Sequence, residues 1–276
     1  MFKLIASDLD GTLLKNDKTI SPYSVSVLQE ASQAGIPFII CTGRMYDSLK
    51  EILPALPFCR YAIASMGAEI YDNFAKKRIY SRPLEPEYAE ILITYALKNN
   101  IHMHLYIDDI LYTSALDQYS DLYFQNTTSM GRLIPGDIFA FIRDREISKI
   151  LYMGPPEEMA RHSRTIGAQL QEKLNIASSD RMFLEFASLK AGKDTALKAL
   201  CAQLGVKTDE LIVFGDSGND ITMLQNTGFS CAVANAWDEA KKAANIIVES
   251  NENDGVAKTV RRLILERLKK GSDMIG

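Results

Sequence analysis

The chain has 276 residues, 47% of them hydrophobic and 24% charged, with 16 glycines and 9 prolines. That composition excludes a disordered chain, a collagen-like repeat and a coiled coil. The formal net charge of −4 comes with no basic block, so nucleic acid is not expected as a partner.

At about 150 residues per domain, the length suits one large domain or two smaller ones. The opening MFKLIASDLDG has no charged segment followed by a long apolar run, so it does not read as a secretory signal. No uninterrupted apolar stretch approaches the roughly 20 residues of a membrane span, and no membrane partner is expected. Cys41, Cys59, Cys201 and Cys231 form no CxxC pair, and the only histidines are His102, His104 and His162. Reduced buried thiols in a cytoplasmic compartment are therefore expected, and a zinc site is not.

The first apolar run is Phe2 to Ala6. Ser21 and Pro22 have the form of an N-cap and first helical residue. Val25, Leu28, Ala31 and Ala34 then recur at helical spacing, and Gly35 closes the helix. Apolar runs at Ile36 to Cys41 and Tyr61 to Ala64 follow, which is the rhythm of parallel strands joined by crossover helices. The rhythm returns late. A helix face runs from Ala196 to Leu204, strands are predicted at Leu211 to Phe214, Phe229 to Val233 and Asn245 to Val248, and a closing helix carries Val256, Val260, Leu263, Ile264 and Leu268. These strands are apolar throughout, as strands covered on both faces should be. The expected fold is α/β, a Rossmann-like three-layer core on a mainly parallel sheet.

From Leu84 onward the pattern changes. Helices are predicted near Glu87 to Asn99 and Glu157 to Leu174, and strands near Met103 to Ile107, Leu111 to Ser114, Ser148 to Met153 and Met182 to Phe186. This reads as an α+β module, residues 84–189, inserted into a core made of 1–83 and 190–276. The module leaves and rejoins near Arg82–Pro83 and Leu189–Gly192. His102 and His104 alternate around Met103 and are expected to face solvent. The aromatics Tyr106, Tyr112, Tyr119, Tyr123 and Phe124 either line a pocket or form the module's own core.

Four short segments carry chemistry. Asp8-Leu9-Asp10-Gly11-Thr12 sets two carboxylates just past the first strand, at the edge of an α/β sheet where ligands bind. Like charges this close repel, and a divalent cation between them relieves the repulsion. A carboxylate can also attack phosphorus while a second one moves the proton. By itself the pattern is equally an acidic turn. Thr42-Gly43-Arg44 ends the second strand, where a hydroxyl and a backbone N–H can hold a phosphoryl oxygen. Lys193 stands at a helix start, against the macrodipole, with Lys190 as a nearby competitor. Gly215-Asp216-Ser217-Gly218-Asn219-Asp220 follows a late strand and brings two more carboxylates to the same edge.

In this order and context the four segments resemble the motifs of the haloacid dehalogenase (HAD) superfamily, in its Cof-like branch. The resemblance covers essentially the whole chain. It implies an Mg²⁺-dependent phosphatase acting on small phosphorylated metabolites through an aspartyl-phosphate, with the inserted module as a cap. It makes Asp8 the nucleophile and Asp10 the general acid and base. Thr42, Gly43, Lys193 and Asn219 would bind phosphate, and Asp8, Asp10, Asp216 and Asp220 the metal, with Arg44 a candidate to meet the substrate. Apart from the resemblance, Glu185 and Phe186 on the predicted strand Met182 to Phe186 either meet the substrate or belong to the module's own core. Asn235-Ala236 and Asp254-Gly255 are weaker similarities. Two departures stand out: Met66-Gly67-Ala68, where relatives carry Asn-Gly-Ala, and Asp194, where a Gly often follows the lysine. A phosphomutase on the same core and a metal-dependent sensor are the competing readings. They are separated by whether phosphate, an isomerised sugar phosphate, or neither accumulates.

Overall fold

The computed structural model describes residues 2–127 and 130–273. In chain order the strands are β1 (Leu4–Ser7), β2 (Phe38–Cys41), β3 (Tyr61–Ala64), β4 (Glu69–Asp72), β5 (Lys77–Ser81), β6 (His102–Ile107), β7 (Ile110–Thr113), β8 (Arg132–Leu133), β9 (Ile147–Met153), β10 (Leu174–Ala177), β11 (Phe183–Ser188), β12 (Leu211–Gly215), β13 (Phe229–Val233) and β14 (Ile246–Val248). They form two sheets, ordered β14-β13-β12-β1-β2-β3-β4-β5 and β10-β11-β9-β6-β7-β8.

The first sheet is parallel from β14 to β3 and antiparallel at β4 and β5. It is the mixed α/β fold expected from the βα rhythm. Its core is built from strand residues such as Ile5, Phe38, Ile63 and Val213, covered by helices that contribute Leu28, Leu200 and Val260. β1 lies between β2 and β12 and runs parallel to both. The turns after β1, β2 and β12 therefore share one edge, the place where such sheets bind ligands.

Ser21 accepts from the N–H of Ser24 and Pro22 opens the helix Pro22–Gln33, as the capping pattern predicts. The helix Lys193–Leu204 likewise begins at the predicted lysine. The hairpin β4–β5 has no expected counterpart. β5 (KRIYS) is a polar, half-exposed edge strand with little apolar alternation to betray it. β10 is also new, because the helical pattern from Glu157 ends at Leu170 and Leu174 opens a strand.

The chain passes from the first sheet to the second around Pro83. The N–H of Arg82 donates to Ala68 in the first, and that of Leu84 to Ile147 in the second. It returns past Gly192, where Gly67 has a φ of +88° and a Cβ on it would lie 2.2 Å from the Gly192 carbonyl oxygen. Only glycine fits that turn. Met66 beside it is buried with Ala68, Ala187 and Ala191, so it fills apolar space between the two crossings.

The second sheet is antiparallel apart from β7–β8. One face packs Leu105, Ile150, Tyr152, Leu184 and Phe186 under the helix Pro86–Lys98. By the period of two, the other face carries His102, His104, Tyr106, Lys149, Leu151, Met153 and Glu185. Met45, from the turn after β2, packs into this face with Tyr106, Leu111, Tyr123, Leu151 and Met153.

The solvent-facing expectation for His102 and His104 is overturned: both are buried, because the helix Gln118–Thr127 closes over them. Their Nε2 atoms lie 3.0 Å apart, and His102 Nδ1 is 3.0 Å from Asp117. Tyr119, Tyr123 and Phe124 pack against the pair. Burial lowers the pKa of both, reinforced at His104 by His102 and Lys149, which brings it to about 3. A histidine whose folded pKa lies below its unfolded value of 6.5 favours folding above that value, and the contribution is lost as pH falls toward 3. We expect the melting temperature of the wild type to fall more steeply below pH 6.5 than that of His104→Asn. Parallel slopes would remove His104 as the cause.

No helix among the described residues is long and apolar enough to cross a membrane. All four cysteines are buried and free, as their spacing suggested.

Candidate active site

The strand β1 ends in a sharp turn. Asp8 is extended, Asp10 has ψ of 124°, and Gly11 turns back with φ of +73°. A Cβ on Gly11 would approach Asp216 Oδ2 to 2.5 Å, so the glycine lets the first and fourth motifs close on each other. Thr12 Oγ1 donates to Asp216 Oδ1 at 2.8 Å, and Asn235 Nδ2 donates to the Gly11 carbonyl at 2.7 Å. The similarity noted at Asn235 thus rests on a real contact with the first motif.

Asp8, Asp216 and Asp220 each place an oxygen within 4.8 Å of the others. Lys193 Nζ, from the start of its helix, donates at 2.6 Å to both Asp8 and Asp220. The far oxygen of Asp220 accepts from the N–H groups of Asp216 and Ser217 at 3.0 and 3.2 Å, which fixes the GDSGND turn. Burial raises the pKa of Asp8; Lys193 opposes this and Asp220 adds to it, and the group is pushed up to about 7. Burial, with Asp8 and Asp220, raises Asp216 well above the usual carboxylate range. At Lys193 burial works against the charge, yet Asp220 and Asp8 outweigh it and raise its pKa.

Lys193 is 1% exposed. Removing one partner of a buried ion pair strands the other, at about 3–5 kcal/mol. Lys193→Met should lose stability of that order in urea unfolding at neutral pH, and a loss below about 1 kcal/mol would contradict the bridging role.

Asp10 does not join the acidic trio. Arg44 grips its carboxylate from two sides, Nε to Oδ2 at 2.6 Å and Nη2 to Oδ1 at 2.7 Å, and Lys18 Nζ adds a contact at 2.9 Å. Burial would raise the Asp10 pKa, but Arg44 and Lys18 more than offset it and hold the group below its usual value. The expectation that its carboxylate faces the metal group is therefore not met, because two cations claim it.

Thr42 is buried, and its hydroxyl accepts from the Arg44 N–H at 3.1 Å. Gly43 lies next to Asn219, whose Oδ1 accepts from Ser217. Asp194 points elsewhere, accepting from Lys198 and Asn226. Lys190 lies outside this group and Lys193 inside it, which decides between the two.

Asp8, Asp10, Gly43, Arg44 and Asn219 line one small cavity of about 70 Å³ together with Lys149, Phe183 and Glu185 from the second sheet and Tyr123 from the helix Gln118–Thr127. Small-molecule sites usually run to about 300–1,000 Å³, so this cavity is smaller than a typical ligand site. A larger cleft near Tyr46, Tyr71 and Phe74 gathers none of these groups. Tyr123, one of the aromatics expected either to line a pocket or to form the module's core, reaches the cavity. Lys149 carries no motif signal. Its one sequence sign is a lysine inside the apolar run Ser148–Met153, where a strand covered on both faces seldom holds an unpaired charge.

Residues 5–260 match the haloacid dehalogenase-like hydrolases. The chain belongs to that family. It is 30% identical over 285 residues to 5-amino-6-(5-phospho-D-ribitylamino)uracil phosphatase YwtE of Bacillus subtilis, covering 95% of this chain and 98% of that protein. It is 26% identical over 268 residues to the pyridoxal phosphate phosphatase YbhA of Escherichia coli, covering 94% and 97%. Among solved structures, a haloacid dehalogenase-like hydrolase from B. subtilis superposes with a TM-score of 0.87 at 25% identity, over 95% of this chain and 100% of that one. This HAD-like hydrolase is accordingly an enzyme of the phosphoric monoester hydrolase type.

Proposed function

We propose that the protein is an Mg²⁺-dependent phosphatase that hydrolyses small phosphorylated metabolites, such as sugar phosphates, through an aspartyl-phosphate. The observation that carries this reading is the meeting of Asp8, Asp216, Asp220 and Lys193 at one sheet edge, with Asp10 and the Thr42–Gly43 turn beside them. The all-oxygen donor set suits Mg²⁺, and the raised pKa values of Asp8 and Asp216 mark a site short of positive charge. Asp8, Asp216 and Asp220 would hold the ion, which when bound supplies charge neutralisation to the phosphoryl group.

In the first step a carboxylate oxygen of Asp8 bonds to phosphorus as the ester P–O bond breaks, and the leaving oxygen takes a proton from Asp10. In the second, water attacks the phosphorus of the aspartyl-phosphate and gives its proton to Asp10, and the Asp8–phosphorus bond breaks to release phosphate. Lys193, Thr42, Gly43 and Asn219 hold the phosphoryl oxygens, where most of the stabilisation in phosphoryl transfer lies.

In the arrangement seen here Asp10 is held as a carboxylate by Arg44 and Lys18, which suits the second step. Proton donation in the first step requires Arg44 to release it, and an arriving substrate that engages Arg44 accomplishes that. Residues 84–189 act as a cap over a core of residues 1–83 and 190–276, excluding bulk water once closed. Four free buried thiols fit a cytoplasmic setting.

The test is phosphate release from a broad phosphomonoester panel, with Mg²⁺ and with chelator, alongside Asp8→Asn. Isomerised sugar phosphate without free phosphate would replace this reading with a phosphomutase.

A further inference from the structure

Lys149 on β9 and Glu185 on β11 form a buried ion pair in the lining of the cavity, Nζ to Oε1 at 2.6 Å, each side chain 2% exposed. Lys149 is fully employed. It also donates to the Gly43 carbonyl at 2.8 Å, crossing from the second sheet to the phosphate-binding turn, and its ammonium sits 4.4 Å from the centre of the Tyr106 ring.

Glu185 is not fully employed. Its Oε2 is buried and has no hydrogen-bond partner among the described residues. Buried carboxylate oxygens are rarely left this way, and each such case calls for an explanation. Three other buried side-chain atoms share the condition, on Glu85, His104 and Arg261, and none of those residues lines the cavity. The strand geometry explains the aim: Leu184 and Phe186 enter the core of the second sheet, so Glu185 between them faces the opposite way, toward Asp8 and Gly43.

We propose that Glu185 is the residue by which the second sheet reads the leaving group: Oε2 accepts a hydrogen bond from a hydroxyl or N–H of the substrate, while Lys149, anchored on Gly43, fixes the other oxygen. The inference rests on the phosphatase reading and narrows its substrate class. The preferred leaving group carries a hydrogen-bond donor, as a polyol does. A leaving group with its own carboxylate or second phosphate is disfavoured, because it would meet Glu185 with like charge.

Glu185→Gln tests the assignment. With Lys149 claiming the amide oxygen, the NH₂ group faces the cavity, and a donor replaces the acceptor. On sorbitol 6-phosphate, kcat/KM should fall about ten- to a hundredfold, the worth of one hydrogen bond to a charged acceptor. On p-nitrophenyl phosphate, whose leaving group has no donor, it should stay within about threefold. Glu185→Asp keeps the charge and the pairing chemistry but withdraws the carboxylate by one methylene, and it should show the same selective loss even if the Gln variant folds poorly. Equal losses on both substrates, or none on either, would overturn the assignment and leave the pair as a tie between the sheets. A wild type inert on both would instead overturn the phosphatase reading, and this inference with it.

Discussion

Asp8→Asn is expected to lower turnover by about 10⁴- to 10⁶-fold, the range seen when a covalent nucleophile is removed. An amide of the same shape cannot form the acyl-phosphate bond. The fold should survive, because burial already opposes the charge on Asp8 and pushes its pKa up to about 7 even with Lys193 beside it. Lys193 keeps Asp220 as partner at 2.6 Å in the variant. The same shift gives a second readout. Without divalent cation, the folded state binds a proton at Asp8 more tightly than the unfolded chain, whose value is 3.8. Stability from this group is complete below 3.8 and declines as pH rises toward 7. The variant should lack that decline. Phosphate release and melting curves from pH 4 to 8 check both parts, and retention of more than about a hundredth of wild-type turnover would exclude Asp8 as nucleophile.

Much of this site was legible because it is built from backbone turns at strand ends. Asp8, Thr42 and Asp216 each follow an apolar run that is long and uniform enough to be read as a buried strand. Sheet topology then brings the three turns together without any further information. Lys193 was legible for a related reason, as a cation placed against a helix dipole.

What escaped lies in side-chain choices made across the fold. Nothing near Asp10 in sequence tells that Arg44, 34 residues away, takes its carboxylate and removes it from the acidic group. The period of two around Met103 correctly set His102 and His104 on one face. Whether that face meets water depended on a helix, Gln118–Thr127, whose modest apolar content did not announce it. Lys149 is hidden for the opposite reason: the run around it is so apolar that it reads plainly as a strand, and a single charge within it makes no pattern of its own. The exposed edge β5 shows the limit of patterning itself, since a strand that buries little needs no pattern.

The largest response to conditions should come from Mg²⁺. Three carboxylates within 4.8 Å share a single lysine, so ionising all three leaves negative charge uncompensated in a place where burial makes that charge expensive. A cation that binds only the folded chain stabilises it by mass action, by about 2.7 kcal/mol at a concentration a hundred times its Kd. Millimolar Mg²⁺ is therefore expected to raise the melting temperature, and chelator to reverse the rise and abolish phosphate release. Asp216→Asn sharpens the test. Among the described residues Lys193 pairs with Asp8 and Asp220 rather than Asp216, and Thr12 can still donate to the amide oxygen, so the hydrogen-bonded frame persists while one anionic ligand is lost. The variant should melt no lower than wild type in chelator, show a much smaller Mg²⁺ shift, and lose at least about a hundredfold in kcat/KM, more than the 10- to 100-fold typical of changes one shell further out. A full Mg²⁺ shift in Asp216→Asn would place the ion elsewhere. Turnover unaffected by chelator would mean that Lys193 and the Thr42–Gly43 turn stabilise the phosphoryl group unaided, and that the acidic trio serves another purpose.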